Sequence, residues 1–534
     1  MSLPEHEVIV AGAGPVGLWL AAELKLAGVD VVLLEKAPER VPHSKALAVY
    51  PRTLELFAMR GLVEQWLAEG TPVSSSHFAL LRTRLDFSSL DSRYPFTLFF
   101  PQLRTEELLE EHALSLGVPL LREHSVTSAS QDDEGVTLAV ETRRGPAAFR
   151  AQYVVGCEGG SSPVRKSAAI ELVGSPATLH CIMGDVEVSE PPDVPTITLN
   201  GDSGAMFMVR LGESLFRIAP FDPVGMQEAR TEEPTLAELR TSVRRVAGTD
   251  FGMHTARWLT RYGNATLQAS RYRSGRLLLA GDAAHLFFPL GGQGLNLGLQ
   301  DATNLAWKLA ATVRGWAPQG LLDGYHAERH PVGAEVADDT LAQTALVSNS
   351  TREAQALRKR FDGILSRHAS LNRELAIRLS GLAATYPTDG GHPLTGQRVP
   401  DLELGGAPVA SVFGLLRPAR FVLLDLTGGE GRLAPADARA DRLDVAVGRL
   451  ANERPEWTSV QAVLIRPDGH VAWAADELDD DGEHLRSALG RWLEPETALN
   501  HSSKSNGHSQ PPHAPSPEAS SSATRPPRRS SLHA

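Results

Sequence analysis

The stretch Glu7-Val8-Ile9-Val10-Ala11-Gly12-Ala13-Gly14-Pro15-Val16-Gly17 decides the fold. Its first five residues are a short run rich in β-branched side chains, as in a buried strand. The run stops at a G-x-G-x-x-G string. After it, Leu18, Leu20, Ala21, Leu24 and Ala27 supply the apolar positions of a helix. Asp30 to Glu35 (DVVLLE) reads as a second buried strand ending in an acid, about 18 residues after Gly17. A glycine string alone is weak evidence. Strand, turn, helix, strand and acid in this order are what a dinucleotide-binding βαβ unit requires. Gly12 permits the tight turn, Gly14 lets the backbone approach a pyrophosphate, and Gly17 lets helix and strand pack closely. The helix starts at Pro15 and Val16, and the unpaired N–H groups of its first turn, Pro15 itself having none, offer donors and partial positive charge to phosphates. Glu35 is expected to accept hydrogen bonds from ribose hydroxyls and to repel a 2′-phosphate, which favours FAD or NAD over NADP here. Lys36 is counted with the same site.

The rest of the composition frames this unit. At 534 residues the chain is too long for one core, so two or three domains are expected. A formal charge of -12 argues against nucleic-acid binding, which needs a basic surface. Two cysteines, Cys157 and Cys181, exclude a disulfide scaffold and suit a reducing compartment. The N-terminal apolar run is broken by Gly12, Gly14, Pro15 and Gly17, unlike a signal peptide, and no apolar stretch is long enough to span a membrane. A cytoplasmic protein without a metal site is expected.

Far along the chain, Gly275 to His285 (GRLLLAGDAAH) forms another strand ending in Gly-Asp. It leads into Phe287 to Asn296 (FFPLGGQGLN) and a long amphipathic helix, roughly Gly294 to Arg314. The two constellations together resemble the group A flavin monooxygenases, the para-hydroxybenzoate hydroxylase family. That resemblance implies FAD as cofactor, with Asp282 on its ribityl chain and the Pro289–Gly294 turn beside its isoalloxazine ring. A helix N-terminus would stabilise the anionic reduced flavin, so backbone N–H groups around Gly294, Leu295 and Asn296 are expected at the flavin end. Pro289, Gly292 and Gly294 are the residues expected to flank the activated oxygen. His285 is read as a structural residue rather than a base.

Other matches come with departures. Tyr153 to Arg165 (YVVGCEGGSSPVR) resembles the Asp-Gly element of these hydroxylases, but Glu158 replaces the usual aspartate. Arg165 meets either a phosphate or an ion-pair partner. In Ser44-Lys45-Ala46, Lys45 stands where relatives carry arginine near the FAD phosphates, keeping charge but losing the bidentate fork. Gln102 and Val126 match positions near the ribose–pyrophosphate and the adenine.

The likeness is nearest to the aromatic polyketide hydroxylases of angucycline and anthracycline type. It implies an α/β fold: a Rossmann-like FAD-binding domain with an inserted β-sheet substrate domain and a C-terminal thioredoxin-like domain. The expected division is 1–171 and 273–396 for the FAD-binding domain, 172–272 for the middle sheet, 397–495 for the thioredoxin-like domain and 496–534 for a disordered tail. Met206, Phe207, Met208, Phe216, Phe221 and Phe288 are candidates for the substrate pocket. No cysteine lies beyond Cys181, which excludes thiol redox work in the C-terminal domain.

As this likeness implies, NADPH reduces the flavin, O2 forms a C4a-hydroperoxide, and an electron-rich ring of a bulky polyketide-like substrate receives one oxygen. NADH is not excluded. Baeyer–Villiger insertion, epoxidation and rifamycin-type drug hydroxylation share this layout. A dithiol reductase lacks its cysteine pair, and a halogenase lacks its Trp-x-Trp-x-x-Pro string. The chain is expected to act as monomer or homodimer.

Overall fold

Five short apolar runs with few polar interruptions assemble into the parallel centre of the main sheet, where burial on both faces favours such sequences. In the computed structural model the order across this centre is Leu277–Leu279, Gly145–Gly156, Glu5–Ala11, Val31–Glu35, Leu120–Arg122, every neighbouring pair parallel. Antiparallel strands extend the sheet to eight. The structure describes residues 5–228, 231–388, 390–407, 409–428, 441–479 and 482–495, all in one compact unit. The expected tail, 496–534, lies outside the described residues.

Two helices pack together against this sheet. Pro15–Leu26 follows the first strand, and Gly294–Val313 is buried along most of its length. Trp19 Nε1 donates to Thr303 Oγ1 across them at 2.8 Å. Hydrophobic burial dominates the stability of such a layer, and the one polar contact fixes its register.

A second, five-stranded antiparallel sheet runs in the order Thr196–Gly201, Gly204–Arg210, Leu215–Phe221, His180–Val188, Met253–Gly263. The helix Leu236–Ala247 covers one face of it. A third sheet orders Leu443–Val447, Phe421–Asp425, Ala462–Ile465 and Val471–Ala475, with the helix Glu483–Leu493 on its core. Together they give the α/β architecture with an inserted β-sheet and a thioredoxin-like C-terminal portion. Among the described residues no helix is long and apolar enough to cross a membrane.

The C-terminal portion is tied to the rest by buried charge. Arg466 donates to both Glu328 oxygens at 2.8 and 2.7 Å, and Lys308 Nζ lies 2.6 Å from the same carboxylate. Arg60 grips Glu23 and reaches the carbonyls of Leu416 and Pro467, while Arg52 Nη2 donates to Asp468 O at 2.7 Å. The helix Pro51–Ala58 therefore carries one wall of this junction.

Burial works to raise the Glu328 carboxyl, but the charges of Arg466 and Lys308 outweigh it and hold it at about 2. Burial pushes His470, in the same cluster, down to about 4 from 6.5. Both groups bind fewer protons folded than unfolded in acid. His470 therefore loses stabilisation between pH 6.5 and about 4, and Glu328 between 4.5 and about 2. The urea midpoint is expected to fall steadily from pH 7 to pH 4.5, followed by circular dichroism. A flat profile would contradict the buried network.

Candidate active site

At the first glycine turn, Gly12 N donates to Leu34 O at 2.7 Å, drawing the chain off one strand and across the end of its neighbour. Gly14 precedes the helix without a side-chain cap, and a Cβ built on it meets nothing within 4 Å. A Cβ on Gly17 would lie 1.9 Å from Gly12 O, so Gly17 serves helix–strand packing rather than the cavity wall. Glu35 accepts from Ala13 N and Ala37 N, each at 2.8 Å, which holds its carboxylate at the strand end. Each oxygen retains lone-pair capacity for a further donor.

This turn opens on a cavity of about 830 Å³, towards the top of the ~300–1,000 Å³ range of small-molecule sites. Gly12, Gly14, Pro15, Val16, Glu35 and Lys36 line it, as do Lys45, Gln102 and Val126. Gln102 Oε1 accepts from Ala46 N at 2.9 Å, fixing the loop that carries Lys45.

The second constellation lines the same cavity through Asp282, Phe288, Pro289, Gly292, Gly294 and Leu295. Asp282 lines this space and is solvent-accessible there. Crowding by the surrounding chain raises its carboxyl, and no described protein donor hydrogen-bonds to it. Asn296 does not reach the wall of this cavity. Its side chain accepts from Tyr50 N and Thr53 Oγ1 and donates to Ala48 O and Gly292 O, so it braces the turn from behind. His285 is fully buried, 2.6 Å from Asp301 Oδ2, with Arg329 on the other Asp301 oxygen at 2.8 Å. It is structural.

Glu158 accepts from Ser162 Oγ and Val164 N and so closes the start of the helix Pro163–Ser167. Burial, the largest influence, raises its carboxyl. Arg165 meets neither a carboxylate nor an open phosphate position. Its guanidinium donates to Ala283 O and Gly160 O, lacing the two motifs together.

Three of the expected pocket residues are corrected. Met206, Met208 and Phe216 are fully buried beneath the helix Leu236–Ala247, with Leu239 and Val243, and do not line the cavity. Side chains alternate along a strand, so Phe207, Ala219 and Phe221 emerge on the opposite face and do line it. Both faces of these strands are apolar, and the sequence alternation therefore did not distinguish them. Phe288 joins this wall, 5.9 Å from Phe221 and 5.8 Å from Tyr262 between ring centroids.

Several lining residues had no sequence signal. Tyr50 donates to Gly291 O at 2.5 Å. Ser76, His77 and Arg84 come from a hairpin of three-residue strands, Ser75–His77 and Arg84–Asp86, too short to show a period. Arg217 pairs with Asp185 at 2.7 and 2.8 Å and also donates to the carbonyls of Ser44 and Lys45. His43 stacks on Trp258 at 5.0 Å beside it. The Lys45 loop and the middle sheet are thereby joined.

Comparison with known proteins matches residues 5–340 to the FAD binding domain family and 392–495 to the aromatic-ring hydroxylase C-terminal family. The chain is 43% identical over 509 residues to the 12-dehydrotetracycline 5-monooxygenase/anhydrotetracycline 6-monooxygenase of Streptomyces rimosus, covering 92% of this chain and 99% of that one. It is 42% identical over 499 residues to the rifampicin monooxygenase of Streptomyces venezuelae, with 92% and 99% covered. Among solved structures, the anhydrotetracycline hydroxylase OxyS from Streptomyces rimosus superposes with a TM-score of 0.84 at 41% identity, covering 92% of this chain and 99% of that one.

Proposed function

This chain belongs to the FAD-dependent aromatic-ring monooxygenases, and from that premise we propose that it hydroxylates a bulky, polycyclic polyketide-like substrate with NADPH and O2. One observation carries the reading. A single cavity joins the glycine turn and Glu35 to an aromatic wall of Phe207, Phe221, Tyr262 and Phe288, by way of the Pro289–Leu295 turn.

The residues present fit FAD. An open helix N-terminus at Gly14 suits a pyrophosphate, and Glu35 keeps acceptor capacity for ribose hydroxyls. The unpaired carboxylate of Asp282 suits a hydroxyl of the ribityl chain. When bound, the flavin supplies the reducing and oxygen-activating chemistry that no side chain provides. The chain's own task is to orient the two molecules and keep water from the reacting face. Lys36 and Lys45 act as point charges for phosphate. The N–H groups of Gly294 and Leu295 at the helix start would hold the anionic edge of a bound flavin, and Pro289, Gly292 and Gly294 would leave room for oxygen beside it. The sequence contains no second glycine fingerprint, as the resemblance to this family implies for a nicotinamide that docks in the same cleft.

The test is to supply the FAD-loaded protein with NADPH or NADH and a panel of polyketide aglycones and rifampicin. Substrate-stimulated oxidation of NADPH with product gaining one oxygen atom is the expected result. Product NMR then separates ring hydroxylation from Baeyer–Villiger insertion and epoxidation. Reductant consumption indifferent to every substrate would replace this reading with a simple oxidase.

A Cβ built on Gly294 has Asp282 Oδ1 as its nearest neighbour, 3.8 Å away. A leucine there extends into the cavity without striking the fold. Gly294→Leu is therefore expected to keep oxidising NADPH while product per NADPH falls about tenfold, equivalent to about 1.4 kcal/mol. Hydrogen peroxide should account for the difference. Unchanged coupling would remove this turn from the reacting centre.

A further inference from the structure

Three arginines line the cavity. Arg217 is closed on Asp185, and Arg261 on Glu238. Arg84 has no carboxylate within ion-pair distance among the described residues. It lies directly opposite His77 in the short hairpin, and opposed residues of an antiparallel pair share a face. Both therefore look into the cavity, while Leu85 between the strand's ends is fully buried on the other side.

The two titratable cavity groups coupled to Arg84, His77 and Tyr50, bring no negative charge. Burial, with Arg84 adding to it, pushes His77 down to about 4, so its ring is neutral near pH 7. Burial pushes the Tyr50 phenol up to about 12, so it keeps its proton. Desolvation lowers Arg84 itself, yet a guanidinium stays charged at neutral pH. A desolvated cation without a counter-charge is unfavourable unless a ligand supplies one. One further polar atom on this wall is buried without a partner, His77 Nδ1. The apolar surface begins beside it, with Phe207 5.7 Å from the His77 ring.

We propose that Arg84 is a specificity residue that receives an ionised oxygen of the fused-ring substrate, a phenolate, enolate or carboxylate. This rests on reading the cavity as the seat of an aromatic substrate. His77 offers a hydrogen bond beside the anion, and the phenylalanines take the rings. Where the oxygen is a ring phenolate, its negative charge also enriches the ring that is to accept oxygen. Arg84 thus favours the reactive protonation state as well as the orientation.

Binding alone tests this, without NADPH and without turnover. FAD-loaded enzyme is titrated with anthraquinone-2-carboxylate, with the neutral anthraquinone-2-carboxamide, and with alizarin at a pH where free alizarin is neutral. The carboxylate is expected to bind about ten- to a hundredfold more tightly than the amide, as one charge-assisted contact supplies. Bound alizarin is expected to show the colour of its anion. The carboxylate arm and the alizarin arm separate the two sources of anionic oxygen, and a preference in either supports the proposal. Arg84→Met should abolish the preference and Arg84→Lys keep part of it, with FAD content and melting temperature unchanged. Equal affinity for acid and amide together with neutral bound alizarin overturns the proposal. So does failure of all three probes to bind, or a preference that survives in Arg84→Met. If the preference holds while no aglycone stimulates NADPH oxidation, the monooxygenase reading fails and the anion site stands.

Discussion

Gly12→Val is expected to purify as a folded, colourless protein, with FAD affinity lowered at least a hundredfold. The residue occupies φ +98°, and a Cβ there would sit 2.6 Å from Cys157 O and 2.9 Å from the Glu158 Cα. Both contacts are with backbone, which has no rotamer to give. Non-glycine residues in such conformations cost about 1–3 kcal/mol before any clash is counted. A loss of about 3 kcal/mol or more corresponds to the hundredfold. The strain falls on the turn that aims the helix N-terminus, so the phosphates lose their N–H donors together. The ratio of visible to ultraviolet absorbance after gel filtration measures bound flavin, and circular dichroism reports the fold. A yellow, fully loaded variant would show that the turn does not hold the pyrophosphate.

The second large effect concerns stability. Glu328→Ala leaves Lys308 and Arg466 both buried and without the carboxylate that now takes four donors from Lys308, Asn304 and Arg466. Removing one partner from such a cluster typically costs about 3–5 kcal/mol. That is a large share of the ~5–15 kcal/mol by which proteins are folded. Glu328→Gln keeps the shape but not the charge and should fall between. Adding Lys308→Met to Glu328→Gln removes one stranded cation and should recover part of the loss. Urea unfolding of the wild type, Glu328→Gln, Lys308→Met and the double variant gives the coupling directly. A loss below about 1 kcal/mol for Glu328→Ala would mean that water compensates the cluster.

The parts legible in the sequence are those whose chemistry is local. A strand, three glycines and an acid define the first turn within thirty-odd positions, about one βαβ unit, and the Gly-Asp turn before the long helix is equally contiguous. Their meeting in one cavity followed from the parallel sheet that both strands enter. The parity of the middle strands was not legible, because Met206 and Phe207 are both apolar and only the covering helix decides which faces inward. Arg84 was invisible for another reason. Nothing in Ser75–Asp86 announces a hairpin, and the value of Arg84 depends on there being no carboxylate within ion-pair distance of it among the described residues. The Glu328 cluster needs partners 20 and 138 residues away in sequence, brought together only by folding.

The helix Pro51–Ala58 connects these observations. Its arginine holds the carbonyl of Asp468, and the tyrosine before it holds the turn at Gly291. A chimera that exchanged residues 392–495 for those of a relative would therefore import a new footing for the turn at Gly291. Recombination would have to carry Arg52 and Arg60 with their acceptor carbonyls as one inherited set. The C-terminal portion is thus a foundation of the turn rather than an interchangeable annex.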